Sequence, residues 1–502
     1  MFHLTRERNI LLRGLWFHME FDRLATSTDM APTPQDMNFK ALFTEYDDSI
    51  AGDINLDPLG LLTIWSGYGQ KIFRNRISSI SNDVRSYTLN LFHHHLIRSL
   101  IRDDSVILSG TLAKAYPGGK DSLAFKQACL IHLENLFIFS QLQNERMGMK
   151  WAPEAVVGGL LGVSKARRRI GTGDDVTLQF SASKEAQLLV RQLLLGVSGR
   201  YKTPMMEMGF FDRLYNDGGE RATAMWSSAE QFINGQERLR GLAKLLLAHL
   251  KRLLASDQKV PAMELSEVDI KVKKGYVHAF ASAEVVGSYA RDYWLHVTEL
   301  DRGAAGAILS VIDGDIGLGR KVIASSVFGR ALALRRQDDA AADRLQLEHV
   351  LVIEPFLTNL DLLFSLVLSK QSHDLEDVAV AWGRYGRSAA TLPDQAAAIK
   401  ADTALCSVLA GLGRKRLARL VSLVNCGGLA EQVALLLGYH KEVMSLRGQM
   451  PWLALEADGG IKVFVRRPAQ PAVEQRTVAY WANQYYIPQF ANLVRGFRGV
   501  QA

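Results

Sequence analysis

The chain has 502 residues, 48% of them hydrophobic and 22% charged, with 41 glycines and 13 prolines; it has the material for a real core and excludes wholesale disorder and collagen-like or low-complexity sequence. Lys and Arg number 59 against 52 Asp and Glu, and the resulting +7 biases the surface toward polyanions. Cys129, Cys406 and Cys426 are far apart, with no CxxC or Cys/His spacing, which excludes a disulfide framework and a zinc-finger pattern and fits a reducing cytoplasm.

At the N-terminus Arg and Glu interrupt the apolar positions, so no signal-peptide core is expected, and a periodic run predicts a helix over Arg6 to Leu24. Asp57 followed by Pro58 reads as the cap of a helix over Leu59 to Phe73, and Asn82 or Asp83 as the cap of one over Val84 to Arg102. Within the latter, His93, His94 and His95 are consecutive, so they diverge around the helix and cannot share one metal; one of them is expected at a polar interface. Further helical runs cover Leu123 to Leu142, Glu185 to Leu195, Ala281 to Leu300 and Leu360 to Leu368. Leu239, Leu242, Leu246, Leu250 and Leu253 form a stripe with Arg238, Lys244, Lys251 and Arg252 between them, an amphipathic helix with a basic outer face.

Strands are predicted at Val176 to Phe180, at Val268 to Val272 with Tyr276 to Phe280, and as a hairpin of Trp452 to Leu455 with Ile461 to Val465, whose Asp458-Gly459-Gly460 suits a tight turn. The fold class is therefore mainly α, a multi-domain helical protein with a few short strands and a C-terminal β-hairpin. Polar or glycine-rich joints at Gly158 to Gly173, Asp257 to Pro261 and Gln337 to Asp343 suggest an N-terminal helical domain over 1–150, a middle helical domain with short strands over 151–300, and a C-terminal domain with the hairpin and a basic-aromatic tail over 301–502. Asp361 breaks the apolar stretch Pro355 to Leu368, and Arg419 and Glu431 break Leu417 to Leu437, so no spanning helix and no membrane partner are expected.

The pentapeptide Gly-Leu-Gly-Arg-Lys occurs twice, at 317–321 and 411–415. The second copy, Gly411 to Leu420 between two apolar helices, resembles the helix-hairpin-helix motif of DNA-binding proteins. The resemblance implies that Gly411 and Gly413 form the hairpin, that Lys415, with Arg414 beside it, meets a phosphate, and that Leu417 and Leu420 anchor the second helix. The same letters fit an ordinary interhelical turn. Asp313 and Asp315 precede the first copy and make it the poorer phosphate site.

From Ile461 onward, Lys462, Arg466, Arg467, Arg476, Arg495 and Arg498 are interleaved with Phe464, Tyr480, Trp481, Tyr485, Tyr486, Phe490 and Phe497. Cations that neutralise phosphates and rings that stack on bases suit nucleic acid, whereas the aromatics alone also fit core anchors. A further cluster, Lys165, Arg167, Arg168 and Arg169, reads as a solvated loop.

Gly118 to Ser122 is similar to the phosphate loop of the PP-loop ATP pyrophosphatases, but Pro117 stands where that family has serine, so Asp121 or Ser122 is expected to cap the following helix. Asp269 and Lys271 on a strand resemble the carboxylate-x-lysine of metal-dependent nucleases. The block from Asp57 to Arg85 resembles bacterial proteins of defence or mobile-element loci. The expected function is a cytoplasmic, non-catalytic, nucleic-acid-binding subunit of a prokaryotic DNA-handling or phage-defence complex, with protein partners, no cofactor and no metal. The alternatives are a divergent metal-dependent nuclease using Asp269 and Lys271, and a protein-protein scaffold.

Overall fold

A computed structural model describes residues 57–108, 110–171, 176–335, 341–370, 372–465 and 469–499. The helical period dominates the sequence, and helices dominate the structure. In chain order the principal elements are α1 (Leu61–Ile72), α2 (Val84–Arg102), α3 (Leu123–Arg146), α4 (Val163–Ile170), β1 (Thr177–Gln179), α5 (Glu220–Gly235), α6 (Glu237–Leu254), β2 (Ala262–Glu264), α7 (Ile270–Ala279) and α8 (Ala283–Thr298). There follow α9 (Gly303–Gly317), α10 (Ala324–Arg335), α11 (Ala341–Val367), β3 (Ser372–His373), α12 (Leu375–Arg384), α13 (Thr391–Ala401), α14 (Thr403–Val408), α15 (Gly411–Leu423), α16 (Leu429–Leu446), β4 (Leu453–Leu455), β5 (Ile461–Val463) and α17 (Ile487–Arg498). The mainly α class is thus observed, with β1 paired to β2 and a second antiparallel sheet in the order β3-β5-β4. The helix expected over Arg6 to Leu24 lies outside the described residues.

The chain forms two compact units, each assembled from separate stretches. Among the described residues, the first comprises Asn75–Asp301 and the residues from Gln489 onward; the second comprises the residues up to Arg74 and Arg302–Pro488.

In the first unit α2 and α3 form the centre. Asp83 caps α2 by accepting the Arg85 N–H at 2.7 Å, and Ser122 caps α3 by accepting the Phe125 N–H at 3.3 Å. Every residue from Tyr87 to Ile97 and from Ala128 to Leu142 is buried, so these helices are covered all round and His93, His94 and His95 are all interior rather than one at an interface. The leucine stripe of α6 is buried from Leu239 to Leu253. Against it packs α7, where a Cβ on Gly275 would lie 2.9 Å from Leu242 Cδ1.

The strands expected at Val268 to Val272 and Tyr276 to Phe280 are instead the helix α7. Asp269 caps it by accepting the Lys271 N–H at 2.8 Å, and Val272, Lys273, Tyr276 and Val277 turn inward at helical spacing. β1 pairs with Ala262–Glu264, next to the joint expected at Asp257 to Pro261. The helix expected over Glu185 to Leu195 is largely turn, with only Gln192–Leu195 helical. Side chains take the backbone partners there: Gln187 Oε1 accepts the Gln192 N–H and Gln192 Oε1 accepts the Leu188 N–H, each at 2.7 Å.

In the second unit α11 is the buried axis. Among the described residues it alone is long and apolar enough to cross a membrane, yet 72% of its most apolar window is buried inside the protein. Its Glu354 carboxylate is fully enclosed. It accepts from Trp65 Nε1 and the Tyr485 hydroxyl at 2.7 Å, the Thr358 hydroxyl at 2.8 Å, and the backbone N–H groups of Ala482 and Asn483 at 2.7 and 3.0 Å.

The N-cap position of α1 is a left-handed Gly60 rather than Asp57, but the Asp57 carboxylate still accepts the Leu62 N–H of the first turn at 3.4 Å. The carboxylate is buried and faces Arg447, whose guanidinium also donates to the Asp57 carbonyl at 2.6 Å. The hairpin forms as expected, with Leu453 opposite Val463 and Asp458 Oδ1 accepting the Gly460 N–H at 2.9 Å.

Candidate nucleic-acid interface

The two Gly-Leu-Gly-Arg-Lys copies sit at opposite ends of helices. The first terminates α9: Gly319 has φ +63°, its N–H donates to Ile316 O at 3.1 Å, and the Arg320 N–H donates to Asp315 O at 2.8 Å. This glycine-based C-cap uses its amides on its own helix. Asp315 is buried and paired to Arg330, so its charge is held inside rather than turned toward Lys321. The second copy opens α15, two residues after α14 ends, with Gly411 at φ +54°. Only this copy has the helix polarity that favours an anion.

Around the second copy the residues divide. Gly413, Leu417 and Leu420 are buried, and a Cβ on Gly413 would lie 3.5 Å from the Thr63 carbonyl oxygen. Arg414 folds back onto α14, donating from Nε to Leu409 O at 2.8 Å and from Nη2 to Ser407 O at 3.1 Å. Arg416 is buried and donates to the Thr63 hydroxyl. Lys415 remains exposed.

Arg466 and Arg467 lie outside the described residues. Arg495 is half-buried and Arg498 exposed on α17. Arg476 pairs with Asp361 at 2.5 Å and lies 4.7 Å over the Tyr480 ring. Tyr485, Phe490 and Phe497 are core residues, so the C-terminal aromatics mainly anchor rather than offer faces to bases.

The expected solvated loop at Lys165 to Arg169 is the helix α4, with all four cations exposed and Val163, Ala166 and Ile170 inward. Arg167 is paired to Glu145 at 2.7 Å.

A second basic surface belongs to α6 and α7. On α6, Arg238, Arg240, Lys244, Lys251 and Arg252 are exposed against the single acid Glu237. Lys251 is paired to Asp103 at 2.5 Å, and Arg252 donates to Glu267 O at 3.1 Å. On α7, Lys271, Lys274 and His278 are exposed at i, i+3 and i+7, one helical stripe. Among the described residues Lys244, Lys271 and Lys274 meet no carboxylate. Sequence reasoning misses the α7 stripe because the segment reads as a strand; its 3-4 spacing is the available signal.

Asp269 and Lys271 stand at the start of the helix α7 rather than on a strand. Asp269 spends an oxygen on the Lys271 backbone N–H, and among the described residues no group of three or more His, Cys, Asp or Glu side chains could hold a metal ion. Comparisons with protein families, curated proteins and solved structures give no match to this chain.

Proposed function

We propose that the chain binds nucleic acid through its phosphates, as a non-catalytic subunit of a prokaryotic DNA-handling or phage-defence assembly in the cytoplasm. One observation carries the binding: Lys244, Lys271 and Lys274 stand exposed and without carboxylate partners on two helices that pack together, with Arg240 on the same outer surface of α6. Ion-paired surface cations have little charge left to offer, whereas unpaired ones release phosphate counterions on contact. Lys415, at the start of α15, is a second and separate contact. Free Cys129, Cys406 and Cys426 support the cytoplasmic reading.

The test is duplex DNA binding across a salt series. Replacing Arg240, Lys244, Lys271 and Lys274 with Ala should weaken binding and flatten the logarithmic salt slope by about 0.9 for each phosphate that is no longer neutralised. Wild-type protein with no salt-sensitive binding would favour the scaffold reading instead.

A further inference from the structure

The first unit contains a cleft of about 60 Å³ that the basic surface of α6 and α7 does not use. Its charged groups are unequal. Arg98 is fully engaged: it pairs with Asp217 and Glu230 and lies 5.1 Å over the Trp226 ring. Lys126 is only 7% exposed, and its one partner is the Tyr215 carbonyl oxygen at 3.3 Å. An ammonium buried with a single long hydrogen bond and no carboxylate in contact, Asp212 acting on it only at longer range, leaves donor capacity unused.

His94 lines the same cleft, 6% exposed, with its ring 4.6 Å from Phe211 and 5.2 Å from Tyr215. Its Nε2 has no hydrogen-bond partner. Burial and the nearby charges of Lys202 and Lys126 push its pKa down to about 3, which keeps the ring neutral with one N–H to give. Arg102 also borders the cleft; its side chain is 58% exposed and only 3.9 Å from carboxylates already engaged by Arg98. Of the bordering acids, Asp217 faces Arg98 and Asp121 is exposed.

We propose that this cleft is a binding site for a single phosphate-sized oxyanion, held by the Lys126 ammonium and His94 Nε2–H, with Arg102 closing over it. The volume is ample for one such ion, and the Lys126 ammonium, with its one long hydrogen bond, and the unpartnered His94 Nε2 are the groups that an oxyanion would satisfy.

The experiment titrates the full chain with inorganic phosphate, against sodium chloride at equal ionic strength, by calorimetry and thermal unfolding. Wild type should bind saturably and unfold at a higher temperature in phosphate. Lys126→Met should weaken binding at least tenfold. Arg102→Gln, at an exposed position that does not threaten folding, should weaken it several-fold, and Lys259→Ala, exposed and outside both the cleft and the basic surface, should leave it unchanged. Equal stabilisation by chloride, or a phosphate response retained in both Lys126→Met and Arg102→Gln, overturns the site; if Lys126→Met fails to fold, Arg102→Gln decides alone. A free oxyanion and the terminal phosphate of a strand share this chemistry. Competition by a 5′-phosphorylated oligonucleotide but not its 5′-hydroxyl form identifies a strand end, and competition by neither identifies the free ion.

Discussion

Gly287 and Gly496 bring the backbones of α8 and α17 into direct contact: a Cβ on Gly287 would lie 2.0 Å from the Gly496 carbonyl oxygen. On its other side, a Cβ on Gly496 would lie 2.9 Å from Val84 Cγ1 at the start of α2. Both glycines are helical without positive φ, so closeness rather than backbone freedom requires them here. The crossing fixes α17 and with it Arg495 and Arg498 on either side of Gly496.

Gly287→Ala is therefore expected to destabilise the first unit by about 1–3 kcal/mol, the usual cost of overpacking. Gly241→Ala in α6, where an added Cβ meets nothing within 4 Å, should stabilise by roughly 0.5–1 kcal/mol. Chemical denaturation of the two variants measures both; equal effects would remove the crossing as a constraint.

Acid should loosen the first unit before the second. Burial holds His93, His94 and His132 at about 3 and His249 at about 4, and lowers His95. Each is neutral when folded and takes up a proton on unfolding, so its contribution is present above pH 6.5 and is lost as pH falls toward its folded value, at about 1.4 kcal/mol per pH unit at most. Glu134, raised by burial, opposes them with one proton. In the second unit, lowered His440 and His349 are opposed by two raised carboxyls, Glu354 and Asp57. Hydrogen exchange at pH 7 and pH 5 should show protection lost first over Asn75–Asp301.

Glu354→Leu should cost about 3–5 kcal/mol, because it strands the Trp65, Tyr485, Ala482 and Asn483 donors in a closed interior. Glu354→Gln, which keeps one carbonyl oxygen, should cost less. Denaturant midpoints order the two variants, and the reverse order would contradict the network.

Lys415→Ala should weaken DNA binding, and Lys321→Ala should matter less, since the first copy presents a helix C-terminus. A larger effect at Lys321 in folded variants would contradict the polarity argument. Gly413→Ala is expected to fold normally, its Cβ having ordinary contact distances to Thr63.

The helices are legible where one period runs long enough. Val84 to Arg102 is predicted to the residue, and the leucine stripe of α6 is predicted with its buried side correct. The Asp-Gly-Gly hairpin is legible because few turns tolerate those residues so well. Val268 to Val272 misleads because Val268, Ile270 and Val272 alternate for five residues, too short a span to separate periods 2 and 3.6. The Gly-Leu-Gly-Arg-Lys copies show a different limit: identical letters open one helix and close another, and the decision lies in the flanking segments. The cleft leaves no trace in sequence, since His94, Arg102, Lys126 and Tyr215 converge only through packing of α2 and α3 with the chain beyond residue 200.

The interleaving of the two units also orders events at the ribosome. Asn75–Asp301 emerges well ahead of its crossing partner at Gly496, which comes only after Arg302–Pro488, a stretch that takes on the order of ten to forty seconds to synthesise. Through that interval the surface around Gly287 and Val84 lacks its α17 cover on the nascent chain, so the first unit is completed only after the second has been made.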